Sequence, residues 1–147
     1  MIGFQFNDGG RMATGKFKAE NVGDCTTRAI AIAAEMPYLE VYETLTIRGK
    51  KERLTKTKRT KTTGRNGAHE RTVRKYLLSL GWTWVPTMFV GQGCKVHLTA
   101  DELPMGRLIV SVSKHYCAVI DRVVHDTYLD DRNGKRCVYG YFYKESQ

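Results

Sequence analysis

The stretch GDCTTRAIAIAA, residues 23–34, decides how this chain is read. From Ala29 to Ala34 no side chain is polar. A run of that length, with alanine interleaved with isoleucine, is a helix apolar on every side and therefore buried. Gly23 supplies a turn before it, and Asp24 is expected to cap it by accepting backbone N–H bonds. Cys25 then falls in the first helical turn. There a cysteine is either a small packing residue or a thiol whose ionised form is stabilised by the positive end of the helix.

Outward from this helix the pattern changes twice. Pro37 suits the first turn of a second helix, PYLEVYETL, with Tyr38, Val41, Tyr42 and Leu45 on one face. A third helix spans about 69–80, with Val73, Tyr76, Leu77 and Leu80 inward and Gly81 ending it. After Gly81 the period is two. WTWVPTMFV is a strand broken by Pro86, and RLIVSVS, HYCAVI, DRVVHDTY and CVYGYFYK follow at hairpin spacing. Asp121-Arg122 and Arg132-Asn133-Gly134 are turn candidates, and residues 1–22 read as an extended or loop lead-in. Helices first and an antiparallel sheet second give an α+β domain, residues 1–147, of N-terminal helices packed on a C-terminal sheet.

The chain has 147 residues, 41% hydrophobic and 27% charged, which suits one domain with a real core. No window is long and apolar enough to cross a bilayer, and the first twenty residues lack the pattern of a secretory signal. A cytoplasmic protein with its four cysteines reduced is therefore expected, without membrane contact. The net charge of +9 is concentrated: residues 48–75 hold twelve Lys/Arg and two Asp/Glu, a net of +10. Within it, RGKKERLTKTKRTKTTGRNG is nearly free of apolar residues and reads as a basic insertion at about 48–66. Lys50, Lys51, Lys56, Lys58, Arg59 and Lys61 are the candidate contacts for nucleic acid or an acidic protein. No aromatic residue lies in 48–75, so such contact is with phosphates, non-specific and sensitive to salt.

Cysteine hydrolase chemistry requires an activated thiol, an imidazole within hydrogen-bond reach, and a group that orients the ring. His115 opens the strand HYCAVI, and Asp126 ends the next one. If the turn lies at residues 121 and 122, Ile120 opposes Val123 and Cys117 opposes Asp126. The carboxylate then returns to the His115 end of the hairpin.

In this order the residues resemble the papain-like cysteine peptidases. Asp24-Cys25 before the helix, and His115-Tyr116-Cys117-Ala118-Val119 followed by Asp126, are similar to motifs of the small bacteriocin-processing peptidase domains. GDCTTRAIA and the His-Tyr pair also resemble ovarian-tumour-type deubiquitinases, and DC-x-x-RA-x-A resembles short phage and bacterial proteins. The resemblance covers residues 21–143 without the basic insertion. It implies a papain-like fold and hydrolysis of a peptide or isopeptide bond in a protein or peptide substrate, without a cofactor. Cys25 is then the nucleophile, His115 the base and acid, and Asp126 the orienting group. Where that family has a Gln six residues before the nucleophile, this chain has Ala19; Asn21 is the nearest side-chain amide and the candidate oxyanion donor, beside backbone N–H groups. A papain-like binding protein working through the basic segment is the alternative.

Other residues are given duller roles. Arg28 either supports the thiolate, pairs with Asp24 or is solvated. Alternation puts His125 on the face opposite Asp126. Cys94, Cys117 and Cys137 are expected to be core thiols. With His97 and His125 they form no CxxC or HxxxH pattern, so no metal site is expected. Trp82, Trp84, Tyr139, Tyr141 and Phe142 are core or cleft walls, and the glycines form no phosphate loop.

Overall fold

The computed structural model describes residues 2–15, 23–65 and 68–145. The elements run β1 (Gly3–Phe6), α1 (Cys25–Ala34), α2 (Tyr38–Gly49), α3 (Glu70–Ser79), β2 (Thr83–Pro86), β3 (Arg107–Val112), β4 (His115–Ile120), β5 (Val123–Asp126) and β6 (Val138–Tyr143). All six strands form one sheet in the order β1-β5-β4-β3-β6-β2. This is a mixed α+β architecture. Every strand pair is antiparallel except β1 with β5. The expected lead-in is thus partly a parallel edge strand, and the expected all-antiparallel sheet is corrected to a mixed one.

Alternation along the strands divides the interior into two layers. On one face Ile109, Ala118 and Phe142 pack with Ile30, Val41, Leu45, Val73 and Leu77 of the helices. On the other, Leu108, Val110, Cys117, Val119, Val124 and Val138 pack with Leu98 and Leu103 from the connection before β3. α1 lies between the sheet and α2, which is why it carries no polar stripe. No described helix is long and apolar enough to cross a membrane.

The β4–β5 hairpin has the register expected, with Ile120 opposite Val123 and Ala118 opposite His125. Its turn residues, Asp121 and Arg122, both take left-handed backbone angles (φ 49° and 66°) without a glycine. Partners outside the hairpin hold them there. Asp121 exchanges hydrogen bonds with the Gly106 backbone, and Arg122 Nε donates to the Leu103 carbonyl.

The basic segment is less separate than its composition implies. Residues 53–61 are exposed, together with Lys50 and Lys51. The return arm, however, is stitched to the helices. Glu52 accepts hydrogen bonds from the Thr62 backbone and from the Thr62 and Thr72 hydroxyls, while Thr27 Oγ1 donates to the Gly64 carbonyl at 2.5 Å. Gly49 permits this approach, since a Cβ there would fall 1.8 Å from the Thr62 carbonyl oxygen.

The thiol expectation also changes. Cys94 and Cys137 form a disulfide, with their Cα atoms 5.8 Å apart, and only Cys25 and Cys117 remain as thiols. Their segments lie side by side because residues 96–98 run antiparallel to 136–138. Neighbouring extended segments bring cysteine Cα atoms within disulfide range.

Candidate active site

α1 begins at Cys25, as its sequence implies, and its first turn abuts the start of β4. His115 is the first residue of β4 and Asp126 the last of β5. The hairpin register brings them to the same end, where His115 Nε2 and Asp126 Oδ2 are 2.7 Å apart. His115 lies close enough to the Cys25 thiol for its hydrogen-bonding capacity and charge to lower the thiol's pKa. The three residues singled out in the sequence are therefore brought together, Cys25 and His115 lining one cleft and Asp126 bonded to His115 behind it.

The charges in this chain favour a thiolate–imidazolium pair. Burial alone would raise the Cys25 pKa, but the hydrogen bond and charge of His115, the Tyr116 backbone N–H and the Thr26 hydroxyl outweigh it and lower it. Burial would likewise lower the pKa of His115. Its hydrogen bonds to Asp126 and Cys25, with their charges, instead push it up to about 9. Asp126 is lowered despite burial by the His115 hydrogen bond, the charges of His115 and Arg28, and the Thr127 backbone N–H. Cys117, enclosed in the core, is pushed far up by burial, so its thiol stays protonated at neutral pH.

A second layer of charge sits beneath the first. Asp24, 1% exposed, does not cap α1 as expected: its side chain accepts no backbone N–H of the helix. Its Oδ1 instead takes the guanidiniums of Arg11, at 2.9 Å, and Arg28, while Oδ2 accepts from Tyr38 Oη at 2.5 Å. Arg28 Nη2 reaches on to Asp126 Oδ1 at 3.1 Å. The open choice for Arg28 is thereby resolved: it is buried, paired with Asp24, and bonded to the carboxylate that holds His115. Arg28 fixes one oxygen of Asp126 and leaves the other for the imidazole.

The sulfur opens onto a cleft of about 570 Å³ whose walls include Ser111, Lys114, Tyr116, Tyr128 and Tyr139. Sequence reading did not single out Tyr128. Its ring packs on His115 with centroids 5.4 Å apart, and its hydroxyl lies 3.5 Å from Nδ1. Its position two residues after Asp126 was the available signal. Tyr116 matters through its backbone N–H, which no side-chain pattern reveals.

His125 stands away from the site on β5, opposite Ala118 and within the field of Arg107. Asn21, the candidate oxyanion donor, lies outside the described residues. The basic side chains from Lys50 to Lys61 do not line the cleft. Comparison with models of known families, with curated proteins and with solved structures returns no match.

Proposed function

We propose that this protein is a papain-like cysteine hydrolase acting on peptide or isopeptide bonds. The observation that carries the reading is His115, 2.7 Å from the buried Asp126 and beside the Cys25 thiol, whose pKa it lowers. In the proposed cycle the Cys25 thiolate attacks the scissile carbonyl, and the imidazolium of His115 gives its proton to the departing amine. A water then attacks the thioester with His115 as base, releasing the acid and restoring the thiol pair. Asp126 keeps the ring oriented and stabilises its positive form. Amides at the start of α1, which have no intrahelical acceptor, are the available oxyanion donors.

The experiment is selective alkylation. At pH 7, iodoacetamide is expected to modify Cys25 far faster than the buried Cys117, as read by peptide mass spectrometry. The rate should hold as pH falls below the ordinary thiol range, down to the lowered pKa of Cys25. His115→Ala should slow it by about tenfold or more at pH 7. Equal rates at the two thiols would remove the basis of the reading. Stability follows from the same shifts. Folding raises the His115 pKa, so its contribution is full below the ordinary value of 6.5 and is lost as pH rises through about 9. Folding lowers that of Asp126, so its contribution is present above 3.8 and lost as pH falls through the lowered value.

A second reading, contact with nucleic acid or an acidic protein, is favoured by the exposure of Lys50, Lys51, Lys56, Lys58, Arg59 and Lys61 on one loop. Binding of a labelled oligonucleotide should weaken steeply with salt. Neutralising these six should flatten that dependence, with a slope change of up to about 0.7 per single-strand contact removed. A slope unchanged by neutralisation would discard this reading.

A further inference from the structure

Just before β6, the fold assembles a second set of soft ligands that has no part in the proposed hydrolysis. Cys94, His97 and Cys137 present three ligand atoms all within 4.8 Å of one another. Local spacing hides this group: Cys94 and His97 are three residues apart, but the third member arrives from a distant segment just before β6. The frame is rigid. Gly91 (φ 78°) and Gly93 (φ 70°) turn the chain so that Cys94 pairs with Met88. His97 then pairs with Cys137, the Val138 N–H donates to the Val96 carbonyl at 2.8 Å, and the Leu98 N–H donates to the Arg136 carbonyl at 2.8 Å.

The imidazole is also oriented. Both carboxylate oxygens of Glu102 lie 3.2 Å from His97 Nδ1, and Thr99 Oγ1 donates to Glu102 Oε2 at 3.0 Å. With Nδ1 engaged, Nε2 is the nitrogen left to coordinate. A carboxylate on the far nitrogen is the usual outer partner of a metal-bound histidine, fixing its tautomer and raising its basicity.

We propose that reduction of the Cys94–Cys137 bond converts this cluster into a zinc site, with Cys94 Sγ, Cys137 Sγ and His97 Nε2 as ligands. Two thiolates and an imidazole are a donor set for zinc rather than for magnesium or calcium. Tetrahedral zinc with bonds of about 2.0–2.3 Å holds its ligand atoms roughly 3.3–3.8 Å apart. In the present cluster the imidazole already lies beside the two sulfurs, which are free to separate toward that spacing once the bond is broken. The half-buried position leaves the fourth place to water or an added ligand.

The chemistry balances with a dithiol as reductant. One of its thiolates attacks a sulfur of the bond, forming a mixed disulfide and releasing one protein thiolate. Its second thiol closes the reductant's own disulfide and releases the other. Two electrons pass to the protein sulfurs, and two protons come from the dithiol. Zinc then displaces a proton from each thiol. The same three residues thus offer a covalent link under oxidising conditions and a metal link under reducing ones. The proposal stands independently of the reading for Cys25.

The test uses the whole chain, reduced with a water-soluble phosphine that is removed before Co²⁺ is titrated in without oxygen. One Co²⁺ per chain is expected, with thiolate-to-cobalt charge-transfer absorption and the visible bands of tetrahedral cobalt, both erased by Zn²⁺. The oxidised chain should show neither. Cys94→Ser, Cys137→Ser or His97→Ala should weaken binding by about 100-fold or more, and Glu102→Gln by about tenfold. Cys25→Ala should leave the spectrum intact. Reduced, folded protein that gives no tetrahedral spectrum would overturn the proposal. So would a spectrum that survives Cys94→Ser or is lost with Cys25→Ala. A reduced chain that loses its near-UV circular dichroism and does not recover it with Zn²⁺ would overturn it equally.

Discussion

Cys25→Ala is expected to abolish hydrolysis, lowering turnover by about 10³-fold or more, while the protein stays folded. No other described thiol can substitute. Cys117 is enclosed in the core, and Cys94 and Cys137 are bonded to each other. The structural cost should be small, because the sulfur is only partly buried at a helix terminus; a loss of about 1 kcal/mol is the scale to expect. His115→Ala should be nearly as inactive, and combining the two should add little, since thiolate and imidazolium work as a unit. The measurement is turnover of peptide and isopeptide substrates beside a denaturation curve for each variant. A Cys25→Ala protein that keeps its activity would exclude the hydrolase, and attention would pass to the basic loop.

The largest loss of stability is expected one residue earlier. Asp24→Ala should destabilise the fold by about 3–5 kcal/mol, the scale for breaking a buried ion pair on one side. Here the side chains of Arg11 and Arg28 are 6% and 5% exposed, and both converge on the carboxylate that would be removed. Tyr38 loses its acceptor as well. Urea denaturation should show a lower midpoint with little change in slope. A loss below about 1 kcal/mol would mean that this carboxylate is no more than a replaceable cap. The two neighbouring substitutions thus have opposite signatures: Cys25 matters to chemistry and little to stability, Asp24 the reverse.

That contrast marks where the sequence was readable. Local signals carried far: α1 starts and ends where its apolar run predicts, and the β4–β5 hairpin has the register counted from its turn. Together they were enough to bring Cys25, His115 and Asp126 to one place. Asp24 was misread as a cap because a carboxylate before a helix has a good local explanation, whereas two of its three partners, Arg11 and Tyr38, come from other segments. β1 was unreadable for a different reason. All four of its residues are exposed, so burial imposes no alternation on them, and its partner β5 lies some 120 positions on. The cysteine pair had the same difficulty, since its closeness depends on one extended segment settling beside another.

The Cys94–Cys137 bond also makes part of the molecule a closed loop of covalent chain. That ring runs from residue 94 to residue 137 and contains β3, β4 and β5, hence both His115 and Asp126. α1, with Cys25, lies outside it. A protease that nicks the connection between β5 and β6 therefore opens the ring without parting the molecule, and the imidazole and carboxylate stay on one piece. A nick in the exposed tip at residues 53–61 is different in kind. It leaves the Cys25 thiol on one polypeptide and the other two residues on another, with only non-covalent contacts between them. The site's covalent integrity is thus uneven: its histidine half is cross-linked into one body, and its cysteine half is joined to that body only through the basic loop.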